Sequence, residues 1–251
     1  MDAPLDRAPA RALATWSGLN CSVLFCDVAG FGDPSRDDDD RRVVRDVTYG
    51  VLLAALEASD VPTADTYRED RGDGALVIVS PAVPTASLID PLAGHLAVAL
   101  RRHNHRASPA VRVQLRVALH VGPVTPDAEG LNGQAIIQTA RLMEAPALKT
   151  ALAETGADLG FIVSSFVYDA FVAHLHGALD PRAFEPVTVT VKETTTEAWM
   201  YLAGTAPHPA ARPAPPPPHS PDPDGPQGTT VFHHVEVHGD MVLGNKTVHE
   251  R

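Results

Sequence analysis

Two aspartates stand where an apolar run meets glycine, and that pairing is the most chemically loaded feature of the chain. Asp27 closes the run in NCSVLFCDVAGFGD, residues 20–33, where Gly30 and Gly32 let the backbone turn sharply. Val23, Leu24, Phe25 and the two cysteines before it read as a short strand buried on both faces. Asp73 sits between Gly72 and Gly74 in YREDRGDGALVIVS, residues 67–80, as the centre of a hairpin turn leading into a central strand. Two carboxylates at the ends of neighbouring strands can hold two divalent ions about 3.5–4 Å apart, the spacing of two-metal phosphoryl chemistry. A glycine-punctuated loop with free N–H groups beside them suits phosphate. The plainer alternative makes Asp27 a strand-ending residue that caps the helix beginning near Asp37.

Four stretches then fall in a recognisable order: LFCDVAGFG, REDRGDGALVIV, LRVALHVGPV at 115–124 and GLNGQAIIQTARLMEA at 130–145. Together, over roughly residues 17–203, they resemble the catalytic domain of class III nucleotide cyclases. The resemblance implies that Asp27 and Asp73 are metal ligands with the Val28 carbonyl beside them, for two Mg²⁺ or Mn²⁺ ions. It implies that the loop 29–32, with Gly30 and Phe31, holds the terminal phosphates of a nucleoside triphosphate. Arg141 matches the arginine that stabilises charge on the α-phosphate, and Lys192 resembles a late lysine that binds the triphosphate. Glu69 occupies the base-selecting position, where a carboxylate accepts from the N1–H and exocyclic amine of guanine and repels the N1 acceptor of adenine. GTP is the slightly favoured substrate, in a homodimer whose two chains share each site. Two positions depart from the pattern: Ile137 replaces an asparagine expected to orient the ribose, and Gly130 replaces a second base-selecting residue. These departures leave open a second reading, a weak or inactive nucleotide-binding module that signals through its C-terminus.

The elements that must position these residues follow from the pattern. A lead-in, 1–18, precedes a domain at 19–203. RDDDDRR at 36–42 reads as acidic helix-start chemistry rather than a calcium loop, because its acids are consecutive. The helix it opens should end near Ser59, followed by a strand over 61–69 paired through the Gly-Asp-Gly turn with residues 75–80. A second helix carries Leu88, Leu92, Leu96 and Leu100; the alternation of Val113, Leu115, Val117 and Leu119 marks a strand over 112–120. His120, just before a turn, reads as a structural hydrogen-bonding residue. A long helix is expected over 134–154, then a strand at 161–163, a helix capped by Ser165, and strands at 187–191 and 198–202. This order is an α+β, ferredoxin-like βαββαβ core with additions.

Composition bounds the rest. Of 251 residues, 44% are hydrophobic and 20% charged, and the formal net charge of -11 argues against nonspecific nucleic-acid binding and against an anionic membrane surface. Cys21 and Cys26 point to opposite faces of one strand, so they read as reduced core thiols of a cytoplasmic protein. Neither a signal peptide nor a run long enough to span a membrane is expected. Residues 204–228 form a proline-rich linker, and residues 229–251 alternate valine with polar residues around Gly239-Asp240 and Gly244-Asn245. That last segment resembles the glycine- and asparagine-punctuated amyloid-type signalling motifs of bacterial immune proteins, which implies a protein partner; a disordered tail is the alternative.

Overall fold

The computed structural model describes residues 15–127 and 130–204. The linker and the strand-like motif expected beyond residue 204, and most of the lead-in, lie outside the described residues.

Strand β1, Asn20–Val28, delivers its end to the Gly30 turn, and helix α1, Asp38–Ala58, follows. Asp37 is its N-cap: its side chain accepts from the Asp40 amide while the Asp40 side chain accepts from the Asp37 amide, so the acidic run forms a capping box. The cap is therefore Asp37, not Asp27, which leaves Asp27 for other work. Strands β2, Thr66–Asp70, and β3, Gly74–Val79, make the expected hairpin. β2 starts later than expected because Pro62 leads into a single 3₁₀ turn, Thr63–Asp65, before the chain extends.

Helix α2, Asp90–Asn104, buries Leu92, Leu96 and Leu100 and leads to β4, Leu115–Pro123. β4 begins later than residue 112 because a 3₁₀ turn at Pro109–Val111 precedes it. A two-residue ladder, β5 at Thr125–Pro126 and β6 at Leu131–Asn132, brings the chain to helix α3, Gln134–Met143. The single long helix expected over 134–154 is two: α3 stops at Glu144, Ala145 is extended at ψ 122°, and α4, Pro146–Thr155, starts on proline. Proline removes an amide and pushes its predecessor out of the helical region, so the apolar periodicity runs through the break without a continuous backbone. β7, Leu159–Ser164, helix α5, Ser165–Ala170, β8, Glu185–Val191, and β9, Thr194–Ala203, complete the chain. The cap of α5 is Ser164 rather than Ser165, its hydroxyl accepting from the Val167 amide.

The seven long strands form one sheet in the order β2-β3-β1-β4-β7-β9-β8, antiparallel except for the β4/β7 pair. The first four carry the ferredoxin-like βαββαβ arrangement, so the fold is α+β as the element order requires. Alternation divides β1 between two cores. Leu24, Cys26 and Val28 face the layer of α1 and α2, while Cys21 and Val23 face the layer that holds Trp16 and Ala135 of α3. The two cysteines are buried in different layers, and burial pushes Cys21 up to about 11 and Cys26 to about 12, so neither ionises near neutral pH. Among the described residues, no helix is long and apolar enough to cross a membrane.

Candidate active site

Register brings the two aspartates together. Asp27 on β1 lies opposite Gly74 on β3, so Asp73 in the turn is its diagonal neighbour, and the Val28 amide donates to the Asp73 carbonyl at 3.1 Å. The approach depends on glycine: a Cβ at Gly74 would lie 1.9 Å from the Cys26 carbonyl oxygen. The third strand contributes a cation. Arg116 on β4 is the Cα partner of Asp27, and its Nε and Nη2 each donate to one Asp27 carboxylate oxygen at 2.7 Å. This bidentate pair is largely buried. Burial raises the Asp27 carboxyl above its ordinary range, Arg116 works in the opposite direction, and the neighbouring Asp73 raises it further. Asp73 makes no side-chain hydrogen bond or ion pair among the described residues.

Next to this pair, the loop after β1 is shaped for an anion. Gly30 has φ +66°, and the Gly30 and Gly32 amides make no hydrogen bond among the described residues. Phe31 packs half-buried on the main core and anchors the turn. Arg36 straps it from outside, donating to the carbonyls of Gly30 at 3.0 Å, Ala110 at 2.9 Å and Arg112 at 2.8 Å. An open cleft of about 440 Å³ lies alongside, lined by Ala29, Gly30, Gln114, Arg116 and Lys149 among others.

The donor set suits a hard divalent cation: two carboxylates and the Val28 carbonyl, all oxygen, with the buried Asp27 charge in want of a positive neighbour. Arg116 fills that need here, so an ion at Asp27 would require the guanidinium to turn into the cleft it already lines. No cluster of three or more His, Cys, Asp or Glu with metal-binding geometry occurs among the described residues.

The remaining expected residues form a second group elsewhere. Arg141, in the last turn of α3, donates to the Val191 carbonyl at 3.1 Å and the Thr194 hydroxyl at 3.0 Å, and pairs with Glu193 at 2.6 Å. It is thereby docked on the β8–β9 turn that carries Lys192, whose φ is +53°. Across the sheet, Asp27, Arg116, Gly160 and Leu202 are level with one another, and Thr194 lies at the other end of β9 from Leu202. At about 3.4 Å per residue, that is roughly 27 Å along the strand. One chain thus holds the Asp27/Asp73 carboxylates at one end of its sheet and the Arg141/Lys192 pair at the other. Ile137 stands one turn before Arg141 on the same helix face; it is 45% accessible, whereas the Arg141 side chain is mostly covered by its contacts with the β8–β9 turn.

Glu69, on β2, is half-exposed, accepts from the Tyr67 hydroxyl at 3.3 Å and pairs with Arg71 at 3.2 Å; Arg71 in turn lies over the Phe25 ring. Gly130 adopts φ +148° and its amide donates to Asp127 at 2.8 Å. His120 pairs through Nδ1 with Ser164 Oγ at 2.8 Å, and burial lowers its pKa; it is a structural hydrogen-bonding residue. Arg116 and Lys149 are the residues that sequence reasoning missed. The signal for Arg116 was available: in LRVALH a full charge lies on the face opposite Leu115, Val117 and Leu119 of a strand flanked on both sides, where an arginine needs a partner.

No protein-family model matches the sequence, and no curated protein matches it either. Among solved structures, the guanylyl cyclase Cya2 superposes with a TM-score of 0.52 at 16% identity, covering 77% of this chain and 98% of that one. An adenylate/guanylate cyclase/hydrolase from Silicibacter pomeroyi superposes with a TM-score of 0.53 at 18% identity, covering 74% of this chain and 98% of that one.

Proposed function

From its class III nucleotide cyclase catalytic-domain fold, we propose that the chain is a divergent nucleotide cyclase that joins the 3′-oxygen of a nucleoside triphosphate to its α-phosphorus. The bond from the α-phosphorus to the bridging oxygen breaks, pyrophosphate leaves, and the 3′-hydroxyl gives up its proton. The observation that carries this reading is the juxtaposition of Asp27 and Asp73 on β1 and the β2–β3 turn, next to a loop with free amides and a cleft lined by Arg116 and Lys149.

In this reading Asp27, Asp73 and the Val28 carbonyl would hold two Mg²⁺ or Mn²⁺ ions, which would supply Lewis-acid stabilisation of phosphate charge and make the 3′-hydroxyl more acidic. The Gly30 and Gly32 amides and Arg116 take the terminal phosphates, Arg116 exchanging its carboxylate partner for phosphate oxygens. Arg141 and Lys192 act on a site of a second chain, because their half-site is distant from the carboxylates of their own. Glu69 favours GTP. The enzyme works as a homodimer.

A nucleotide-binding module without turnover is the second reading. It is favoured by the exposed apolar Ile137 at the ribose-orienting position and by Glu193, which already occupies Arg141. One experiment separates the two: purified protein is incubated with each NTP and Mn²⁺, and products are resolved by mass. A cyclic nucleotide with stoichiometric pyrophosphate supports the enzyme. Saturable Mn²⁺–NTP binding with no product supports the module, and no binding of any NTP removes both.

A further inference from the structure

Asp73 is held by its backbone alone, so whatever fixes the β2–β3 turn fixes that carboxylate. The turn is already closed by pairing of β2 with β3 and by the Arg71 amide, which donates to the Gly74 carbonyl at 2.9 Å. Two residues of α1, four apart and therefore on one face, add contacts that a hairpin does not need. Arg45 donates to the Gly72 carbonyl and to Asp70 Oδ2. Tyr49 lies 2.7 Å from Asp70 Oδ1 and 2.6 Å from the Gly74 carbonyl through its hydroxyl. The Arg45 guanidinium also lies 5.0 Å from the centre of the Tyr49 ring. Asp70 completes the unit by accepting from the Gly72 amide at 2.7 Å. The Gly72 carbonyl is thus gripped by Arg45, while the single Tyr49 proton is shared between Asp70 and the Gly74 carbonyl on the other side of Asp73.

We propose that Arg45, Tyr49 and Asp70 form a clamp that positions Asp73 against Asp27, making α1 the arm that sets the geometry of the two-carboxylate site. The proposal rests on the reading of Asp27 and Asp73 as metal ligands. These three are positioning residues, acting through the turn rather than on substrate. Burial works against ionisation of Asp70, but Arg45, the Gly72 amide and the Tyr49 hydroxyl hold its carboxyl down to about 2, so the clamp stays charged through the range in which metals bind. Displacing a coordinating group by even 1 Å costs on the order of a hundredfold in a positioned reaction.

The test uses the full chain, Mn²⁺ and 3′-deoxy-GTP, which cannot cyclise. Mn²⁺ affinity is read from the electron paramagnetic resonance signal of the free ion in wild type, Tyr49→Phe, Asp70→Asn, Arg45→Ala, Arg45→Lys and Asp73→Ala. Affinity for the nucleotide without metal and the melting temperature are measured in parallel. The clamp predicts that Tyr49→Phe and Asp70→Asn each weaken Mn²⁺ about tenfold with metal-free nucleotide affinity unchanged, and that Arg45→Lys recovers part of the loss seen in Arg45→Ala. Lower melting temperature with wild-type Mn²⁺ affinity in the folded variants, while Asp73→Ala loses the ion, overturns the clamp and leaves the metal site standing. Unchanged Mn²⁺ affinity in Asp73→Ala overturns the metal reading itself, and the clamp with it. Tyr49→Phe removes a single hydroxyl and keeps the test available if the arginine variants do not fold.

Discussion

Asp27 carries two opposing demands. It is an ionisable group in a buried strand end, and it is pinned by a bidentate arginine on the next strand. Its raised pKa means that protonation is favoured more in the folded state than in the unfolded one. The stabilisation from that difference is complete below the ordinary carboxylate range and is lost as pH rises through the raised value. Ionised Asp27 is therefore a burden on the metal-free fold above that raised value, and a bound cation relieves it. Mn²⁺ is expected to raise the melting temperature most above the raised value and progressively less as pH falls through it, with the effect absent in Asp27→Ala; scanning calorimetry across pH checks this. A pH-independent shift would mean that the ion binds elsewhere. Glu69 presents acceptors on the half-open edge of β2, so GTP is expected to bind more tightly than ATP. Glu69→Lys should move the preference by about 1.5–3 kcal/mol, roughly ten- to a hundredfold, read by competition binding of the two nucleotides.

At the scale of elements, the site is a product of strand register. β1 has β3 on one side and β4 on the other, and the pairing sets Asp27 level with Gly74 and Arg116 at once. Gly74 is the position that permits it, because its missing side chain is replaced by the Cys26 carbonyl of the adjacent strand. Gly74→Ala is expected to force β1 and β3 apart at their functional ends, costing about 3 kcal/mol. For a domain of this size that lowers the melting temperature by roughly 6–12 °C. Calorimetry with a Mn²⁺ titration of the surviving folded protein should show both effects together. Loss of stability with Mn²⁺ affinity intact would separate the hairpin register from the metal site.

For the whole molecule, the decisive fact is that a single sheet carries the two proposed groups of site residues at opposite ends. Asp27 and Asp73 lie at the β1 tip and Arg141 and Lys192 at the β8–β9 turn, so a chain acting alone does not bring them together. If two chains combine opposite ends, Asp73→Ala and Arg141→Ala should each be inactive, yet their mixture should recover activity. Each mixed dimer would restore one of its two sites, giving about a quarter of the wild-type rate for random exchange. Sedimentation establishes the dimer, and product formation by the mixture against each variant alone decides whether the site is shared. No recovery in a mixture shown to form heterodimers would return all four residues to separate roles.

The local signals in the sequence were strong where short-range physics decides. A continuous apolar run placed β1, alternation placed β4, the Gly-Asp-Gly turn placed the β2–β3 hairpin, and the acidic run ahead of α1 marked a helix start that became a capping box. The ferredoxin-like α+β core and the nearness of Asp27 to Asp73 followed from those elements and their order. Periodicity ran past Pro146 because side-chain pattern is blind to a missing amide, and so two helices looked like one. Only the tertiary structure disclosed Arg116 as the partner of Asp27, the grip of α1 on the turn at Asp73, and the separation of Arg141 from the carboxylates. Each of those depends on contacts between residues from 21 to 89 positions apart, made through sheet order and register. Those are set by how the layers pack and not by any preference local to the chain.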